Sequence, residues 1–261
     1  MESSHPDGHR TRHLSIIAFI GIVVIYLTII QVGGLIGQNA ADIEDKALVS
    51  VEDVLVTMWI PLGIALVFTF GVVAALGWWR PVLHDDKPVQ RWLAVVPIVL
   101  IIAILIGINF GELGDKGIGY VLVLLVATQF VGWGEEGMFR GIGVVAFRVN
   151  GFSEGKVAFW SSLIFGAVHL SNGISRGASA IPQAIIVSFA GYFFYLTRRW
   201  SRGNALNSIL HGLFDFALIS STAIVVDQKV YAGSFAPILV YVILAVVLLV
   251  RRHRIEPAPV I

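Results

Sequence analysis

Gly134-Glu135-Glu136-Gly137-Met138-Phe139-Arg140 decides the fold, because it puts two carboxyl groups and a guanidinium into a largely apolar run from Val121 to Phe147. Charged side chains inside an apolar run of membrane length are costly and are expected to have a function and a partner. Glu136 and Arg140 are four residues apart, so on a helix they share a face and can pair. Glu135 points about 100° away and lacks such a partner, which leaves it free for chemistry. The simpler alternative is a structural ion pair that joins two spans.

The composition indicates a polytopic membrane protein. Of the 261 residues, 57% are hydrophobic and only 13% are charged, whereas about 25% of the residues in a soluble domain are charged. The 27 glycines suit close packing of helices in lipid. The chain has no cysteine, which excludes disulfides, thiol nucleophiles and thiolate metal sites. The net charge of +1 carries no sign of nucleic-acid binding, and we expect no nucleic-acid partner.

Apolar runs of the length that crosses a bilayer occur at about eight places. They lie near residues 14–36, 54–78, 92–110, 119–148, 157–171, 180–197, 205–226 and 232–250. The sequence therefore predicts an all-α polytopic membrane protein with about eight transmembrane helices. Lysines and arginines concentrate in alternate connections, starting with the N-terminal segment, and acidic residues gather in the others. The positive-inside rule thus predicts that both termini are cytoplasmic.

We predict a single helical transmembrane domain over residues 14–251, flanked by short cytoplasmic tails at 1–13 and 252–261. Pro6 and Gly8 disfavour a helix in the first tail, which is predicted to be disordered. No small-residue cleavage pattern follows the first apolar run, so we interpret it as a retained span and not as a signal peptide.

Two further polar constellations lie within predicted spans. Phe165-Gly-Ala-Val-His169 is in the fifth span and His211-Gly-Leu-Phe-Asp215 is in the seventh. His211 and Asp215 can share one helix face. Counted from the predicted inner helix ends, Glu135 lies roughly 20 Å deep, His169 roughly 18 Å and His211 roughly 10 Å. The three motifs are predicted to face one water-filled cavity between the inner interface and mid-bilayer.

Carboxylates and imidazoles without a serine or cysteine nucleophile suit the activation of water. A partly desolvated glutamate can act as general base, and imidazoles can donate hydrogen bonds to the oxyanion of a tetrahedral intermediate. Together these groups describe amide hydrolysis. Zinc is the alternative, with Glu135, His169 and His211 as its ligands once Arg140 holds Glu136. A zinc-bound Glu135 could not also be the base, so the metal-free scheme is favoured while zinc stays open.

The motifs resemble those of the CPBP family of intramembrane proteases. That family includes the type II CAAX prenyl proteases and the bacterial Abi proteins linked to bacteriocin processing and self-immunity. Its pattern is EExxxR, FxxxH, and Hxxx followed by Asn or Asp. Similar residues occur here in that order, as Glu135-Glu136-x-x-x-Arg140, Phe165-x-x-x-His169 and His211-x-x-x-Asp215. The resemblance covers about Val121 to Ala217, and we place the protease-like core at about 119–226.

This resemblance implies an all-helical endopeptidase that cleaves membrane-embedded or lipidated peptides or proteins. It implies that Glu135 activates water, that Glu136, His169, His211 and Asp215 complete the site, and that Arg140 and Phe165 support it. No cofactor is required by this scheme, although zinc is possible. Asp215 stands where the prenyl proteases typically have Asn, which places the chain nearer the bacterial branch and in the plasma membrane of a prokaryote.

Two other functional classes stay open. The same family includes proteins implicated in bacteriocin immunity or as membrane scaffolds, for which the site would bind without turnover. Chains of Glu and His in membrane spans also relay protons in transporters. The internal repeats that favour a transporter are not visible in this sequence. The His-Glu-x-x-His pattern of site-2 zinc proteases does not occur either.

Overall fold

The computed structural model describes residues 12–40, 47–87 and 89–257, and these residues form helices and short connections without a β-strand. The all-α fold class is therefore confirmed. The main helices are α1 (Ile16–Ala40), α2 (Val51–Leu76), α3 (Trp79–Leu83), α4 (Val95–Gly107), α5 (Phe110–Val149), α6 (Glu154–Val168), α7 (Ala180–Ser201), α8 (Ala205–Thr222) and α9 (Ala236–Val250). The predicted disordered tail at 1–13 lies outside the described residues except for Arg12 and His13.

Each predicted apolar run contains a helix, but a count of eight spans is not confirmed. Five helical stretches of the described residues are long and apolar enough to cross a membrane: Ile16–Asn39, Val51–Leu76, Phe110–Val149, Gly177–Ser201 and Ala232–Val250. Helix α6 has 15 residues and reaches about 22 Å, less than the roughly 30 Å of the hydrocarbon core. Helix α8 has 18 residues, but Asn207, His211 and Asp215 make it more polar.

Helix α5 is irregular at two places that matter for the site. At Gly117 the backbone takes a φ of 79°, which interrupts the helix near its beginning. From Glu136 to Gly143 the chain forms a π-helix, and all eight of its residues are buried. Wider π turns inside α-helices are frequent at functional sites. The stretch from Gly134 to Arg140 therefore spans the junction between an α-helix and a π-helix.

The connections gather the helix termini at two opposite ends of the bundle. At one end Asp85 donates its N–H to the Arg202 carbonyl, and at the other Leu48 donates to the Ala223 carbonyl. The first, which we call the basic end, carries Arg12, Arg80, Lys87, Arg91, Arg148, Lys156, Arg198, Arg199, Arg202, Arg251, Arg252 and Arg254, with Asp85, Asp86, Glu154 and Glu256. The second, which we call the acidic end, carries Glu52, Asp53, Glu112, Asp115 and Asp227, with Lys116, Arg176 and Lys229.

An ionic network ties the helix termini together at the basic end. The fully buried Asp85 carboxylate accepts hydrogen bonds from Arg148 Nη1 at 2.9 Å and from Arg198 Nε at 2.8 Å. Glu256 accepts from Arg199 Nη1 at 2.6 Å. This bond holds the described part of the predicted C-terminal tail, 252–261, against α7. The network joins the connection after α3 to the ends of α5, α7 and α9.

The lowered pKa of the Asp85 carboxyl group makes the stability of the fold depend on pH. Burial raises the pKa of Asp85, but the neighbouring Arg198 and Arg148 outweigh burial and hold that pKa below its ordinary value. A lowered folded-state pKa stabilises the fold fully above the unfolded pKa of about 3.9, and this stabilisation is lost as pH falls through the folded pKa. Chemical unfolding in detergent should therefore show Asp85→Asn less stable than the parent at pH 7. The difference should shrink below about pH 4, and a difference independent of pH would contradict this account.

Helices α5 and α8 approach closely through glycines. A Cβ at Gly132 would overlap the carbonyl oxygen of Ser208, and a Cβ at Gly212 would lie 2.8 Å from the Thr128 carbonyl oxygen. Small residues at a helix interface let two backbones pack closely in a membrane. This contact brings the glutamates that follow Gly132 next to the polar face of α8.

We expect Gly132→Ala to separate α5 from α8, because the added methyl group meets backbone that cannot rotate away. Overpacking of this kind typically costs about 1–3 kcal/mol, and thermal unfolding in detergent micelles would measure it. Gly119→Ala is the matched control, since Gly119 lies on the same helix with no atom within 4 Å of a Cβ. Equal melting temperatures for the two variants would show that the close contact is not required.

Candidate active site

Glu136 is the polar centre of the bundle. Its side chain is fully buried, and it accepts hydrogen bonds from Arg140 Nη1 at 3.1 Å, His211 Nδ1 at 2.8 Å and Asn207 Nδ2 at 2.7 Å. The predicted pair between Glu136 and Arg140 is therefore present. The two donors from α8 add a link that spacing along α5 could not show. Glu136 joins the π-helical segment of α5 to one face of α8.

The Arg140 guanidinium is held largely by aromatic rings. Its Cζ lies 3.9 Å from the centroid of Phe165 and 5.8 Å from that of Phe194. Its Nε and Nη2 atoms are buried without a hydrogen-bond partner among the described residues. Desolvated cation–π contacts can contribute about 2 kcal/mol. Gly191 makes room for the group, because a Cβ there would lie 2.7 Å from Nη2.

The His211 ring is oriented at both nitrogens. Since a carboxylate only accepts, Nδ1 carries a hydrogen that it donates to Glu136. On the other side, Nε2 lies 3.7 Å from Glu135 Oε2 and 3.7 Å from Asp215 Oδ2. The ring stacks on Phe194, with centroids 4.7 Å apart. Nε2 is therefore directed between two carboxyl groups.

Glu135 differs from its neighbour in exposure and in bonding. It keeps 16% of its side chain exposed, while Glu136 keeps none. Its Oε2 atom has no hydrogen-bond partner within the described part of the chain. Glu135 lines a cavity of about 450 Å³ together with His169, His211 and Asp215. This carboxylate can accept a proton or a hydrogen bond from whatever enters the cavity.

His169 reaches the same cavity from the other side of Phe165. It follows the last residue of α6, and its Nδ1 lies 2.8 Å from the Phe165 carbonyl oxygen. Because a carbonyl only accepts, Nδ1 carries the hydrogen, and Nε2 of a neutral ring is an acceptor. The Phe165 ring meets His169 and His211 edge-on, with centroid distances of 5.0 and 5.8 Å. Phe165 thus separates the two imidazoles and supports Arg140.

The three sequence motifs meet at this one place. The cavity wall includes four of the five predicted catalytic residues, and Glu136 lies behind His211 instead. Sequence reasoning missed Asn207 and Phe194. Asn207 precedes His211 by one helical turn in an apolar run, and this spacing is a signal that could have pointed to it. Phe194 is an apolar residue in an apolar helix and gives no such signal.

The cavity extends in a direction that helix depth did not predict. Its outer lining comes from Ser179, Pro182 and Gln183 at the start of α7, from Leu218 late in α8, and from Ile238 at the start of α9. These residues lie on the acidic-end side of the catalytic residues. The prediction of a cavity between mid-bilayer and the basic end is therefore wrong. The distance of each motif from its helix end predicts how deep the motif lies in the bundle. It does not predict toward which end of the bundle the helices around the cavity separate.

The sequence leaves open a zinc ion bound by three side chains of the site. Glu135, His169 and His211 line one cavity. Across residues 12–40, 47–87 and 89–257, no three His, Asp or Glu side chains are placed so that they could hold a metal ion. We therefore derive no catalytic step through a metal.

The predicted family resemblance is confirmed over the part of the chain that contains these motifs. A family model described as Type II CAAX prenyl endopeptidase Rce1-like matches residues 117–217. This segment is Rce1-like. It runs from the interruption of α5 at Gly117 to Ala217 in α8, close to the predicted range from Val121 to Ala217. No curated protein and no solved structure matches the chain. The matched segment is thus similar to a family of membrane proteases, and the five long apolar helical stretches of the described residues support a multi-pass membrane protein.

We expect Arg140→Ala to destabilise the Rce1-like segment, because Glu136 would keep a buried charge without its cation. Breaking a buried pair typically costs about 3–5 kcal/mol. Arg140→Lys should recover only part of this, since an ammonium does not reproduce the planar group between the two rings. Thermal unfolding measures both variants. Arg80→Ala, at an exposed position on the basic end, is the control and should change stability by less than about 0.5 kcal/mol. If Arg140→Ala behaves like the control, the pair does not stabilise the fold.

Proposed function

We propose that this protein is an intramembrane endopeptidase that hydrolyses peptide bonds of membrane-associated peptides or proteins, with Glu135 as the general base. This proposal rests on the difference in hydrogen bonding and exposure between the two adjacent glutamates. Glu136 has three hydrogen-bond donors and no exposed surface. Glu135 lines the cavity with 16% of its side chain exposed, and its buried Oε2 atom lies 3.7 Å from His211 Nε2 without a hydrogen-bond partner among the described residues. A carboxylate so placed can bind and deprotonate a water molecule.

The reaction that fits these groups is addition of water to an amide. Glu135 takes one proton from a water molecule as the water oxygen forms a bond to the scissile carbonyl carbon. The carbonyl oxygen then becomes an oxyanion. Glu135 returns the proton to the amide nitrogen as the carbon–nitrogen bond breaks, which releases a carboxylic acid and an amine. One carboxyl group thus serves as base and then as acid, and no external reactant besides water is consumed.

His211 is suited to stabilise the oxyanion. Its Nδ1–H is fixed on Glu136, and the carboxyl groups of Glu135 and Asp215 lie 3.7 Å from Nε2. Negative charge nearby stabilises a ring that carries protons on both nitrogens. Such a ring can donate from Nε2 to the oxyanion. Asp215 then acts mainly by orienting and balancing the charge of His211.

His169 has two possible contributions, set by its protonation. With Nδ1–H on the Phe165 carbonyl, a neutral ring can accept a hydrogen bond from water at Nε2 and orient that water. A doubly protonated ring can donate to the oxyanion, as His211 does. Both contributions need only the position of His169 in the cavity wall.

The substrate class follows from the family name and from the cavity. The matching family is named for a CAAX prenyl endopeptidase, whose substrates are membrane-associated. We propose a membrane-embedded or lipidated peptide for this chain too, within the plasma membrane of a prokaryote. A bacteriocin-immunity or scaffold protein would use the same cavity for binding without turnover.

Replacing Glu135 by Gln should remove the base while keeping the size of the side chain. General-base catalysis typically contributes about 10²–10⁴-fold, so peptide cleavage by Glu135→Gln should fall by that factor. Purified protein would be incubated with a library of single-span peptides in liposomes, and new peptide termini would be identified by mass spectrometry. The melting temperature of each variant would be measured in parallel.

Glu112→Gln is the matched control, since Glu112 lies near the start of the same helix and outside the cavity. It should cleave like the parent. Equal cleavage by Glu135→Gln and the parent would remove Glu135 from the mechanism. Binding of peptides without cleavage by any variant would favour the immunity or scaffold function.

A further inference from the structure

The mouth of the catalytic cavity has two kinds of edge. Ser179 and Gln183, before and in the first turn of α7, give it a polar edge. Ile186, Leu218 and Ile238 give it an apolar edge, with 40%, 40% and 53% of their surface exposed. The apolar residues come from three different helices, so this edge opens sideways, where lipid surrounds the bundle. A ligand in this mouth would contact lipid and a polar surface at the same time.

The opposite side of the catalytic residues is closed. Every residue of the π-helix from Glu136 to Gly143 is buried, and Asn207 and Ser208 of α8 are buried against it. Three glycines of the π-helix let side chains from α1, α2 and the segment around α3 pack against it, because a Cβ would lie 3.0 Å from Thr69 at Gly137, 2.7 Å from Val82 at Gly141 and 2.8 Å from Phe19 at Gly143. The closed side is the one that leads to the basic end. Water and substrate therefore have their opening on the side of the acidic end.

The charge difference between the two ends assigns each to a side of the membrane. Lysine and arginine dominate at the basic end, which is the signature of the cytoplasmic side. Trp79, at the start of α3, and Trp92 lie at that end with part of their surface exposed, as expected for aromatic side chains at a membrane interface. The acidic end then faces away from the cytoplasm. The mouth of the cavity lies in the leaflet next to that end.

We propose that water and substrate reach Glu135 from the outer leaflet, and that the substrate is a membrane-anchored segment whose scissile bond lies in the outer half of the bilayer. The apolar edge would contact the anchor of the substrate, and the polar edge would contact its peptide groups. For its chemistry this inference rests on the proposed function. The direction of access rests only on the cavity and the distribution of charge. A peptide presented from the cytoplasm would meet the closed side.

The absence of cysteine makes the direction of access directly measurable. Ser179→Cys and Gln183→Cys place a thiol at the polar edge of the mouth. Asp227→Cys and Arg91→Cys are exposed references at the acidic and basic ends. Intact cells that express each variant would be treated with a membrane-impermeant maleimide. We expect Ser179→Cys, Gln183→Cys and Asp227→Cys to be labelled, and Arg91→Cys only after permeabilisation. Labelling of Ser179→Cys and Gln183→Cys only together with Arg91→Cys would overturn the inference.

Cleavage provides a second readout on the same variants. A bulky maleimide attached to Gln183→Cys from outside should reduce cleavage of a single-span peptide by about tenfold or more, because misplaced substrate reacts poorly. The same reagent attached to Arg91→Cys after permeabilisation should leave cleavage at its level before labelling. The reverse pattern would overturn the inference. If no variant cleaves even before labelling, the proposed function fails, while the labelling pattern still decides the direction of access.

Discussion

A carboxylate buried in an apolar helical bundle is the constraint on which this structure depends. Glu136 has no contact with solvent, so its charge must be balanced within the protein. Arg140 supplies the cation from the same helix, and Asn207 and His211 supply two donors from α8. These bonds require the backbones of α5 and α8 to lie close together. The glycines at their contact make that distance possible.

The Glu136 carboxylate lies between Arg140, which supports the site, and the side chains of His211 and Glu135, which face the cavity. Arg140 lies behind the site between the rings of Phe165 and Phe194, where cation–π contacts replace some of its missing hydrogen bonds. His211 connects the two regions, with Nδ1 on Glu136 and Nε2 toward Glu135. Two consecutive glutamates point in different directions on a helix. One can therefore be fully bonded while the next one faces the cavity.

The sequence predicted the parts of this arrangement that depend on local spacing or on composition. Helical periodicity predicts the pairing of Glu136 with Arg140, and apolar length predicts the helical membrane class. The number of spans was harder to predict, because short or polar helices such as α6 and α8 lie in the bundle with less apolar length than an isolated span requires. The roles of Asn207 and Phe194 depend on contacts between distant segments. Such contacts follow from packing, which a single sequence does not display.

Packing between distant helices also determines that the cavity opens toward the acidic end. On the closed side, toward the basic end, every residue of the π-helix from Glu136 to Gly143 is buried. On the open side, α7 and α9 frame the mouth, and each has a proline in its first turn, Pro182 and Pro237. Proline is tolerated there because the first N–H groups of a helix have no partner inside it. A short 3₁₀ segment precedes each α-helix, Gly177–Ser179 before α7 and Ala232–Phe235 before α9. Both α-helices begin at the level of the mouth. The bundle is therefore open on the acidic-end side of Glu135 and tightly packed on its basic-end side.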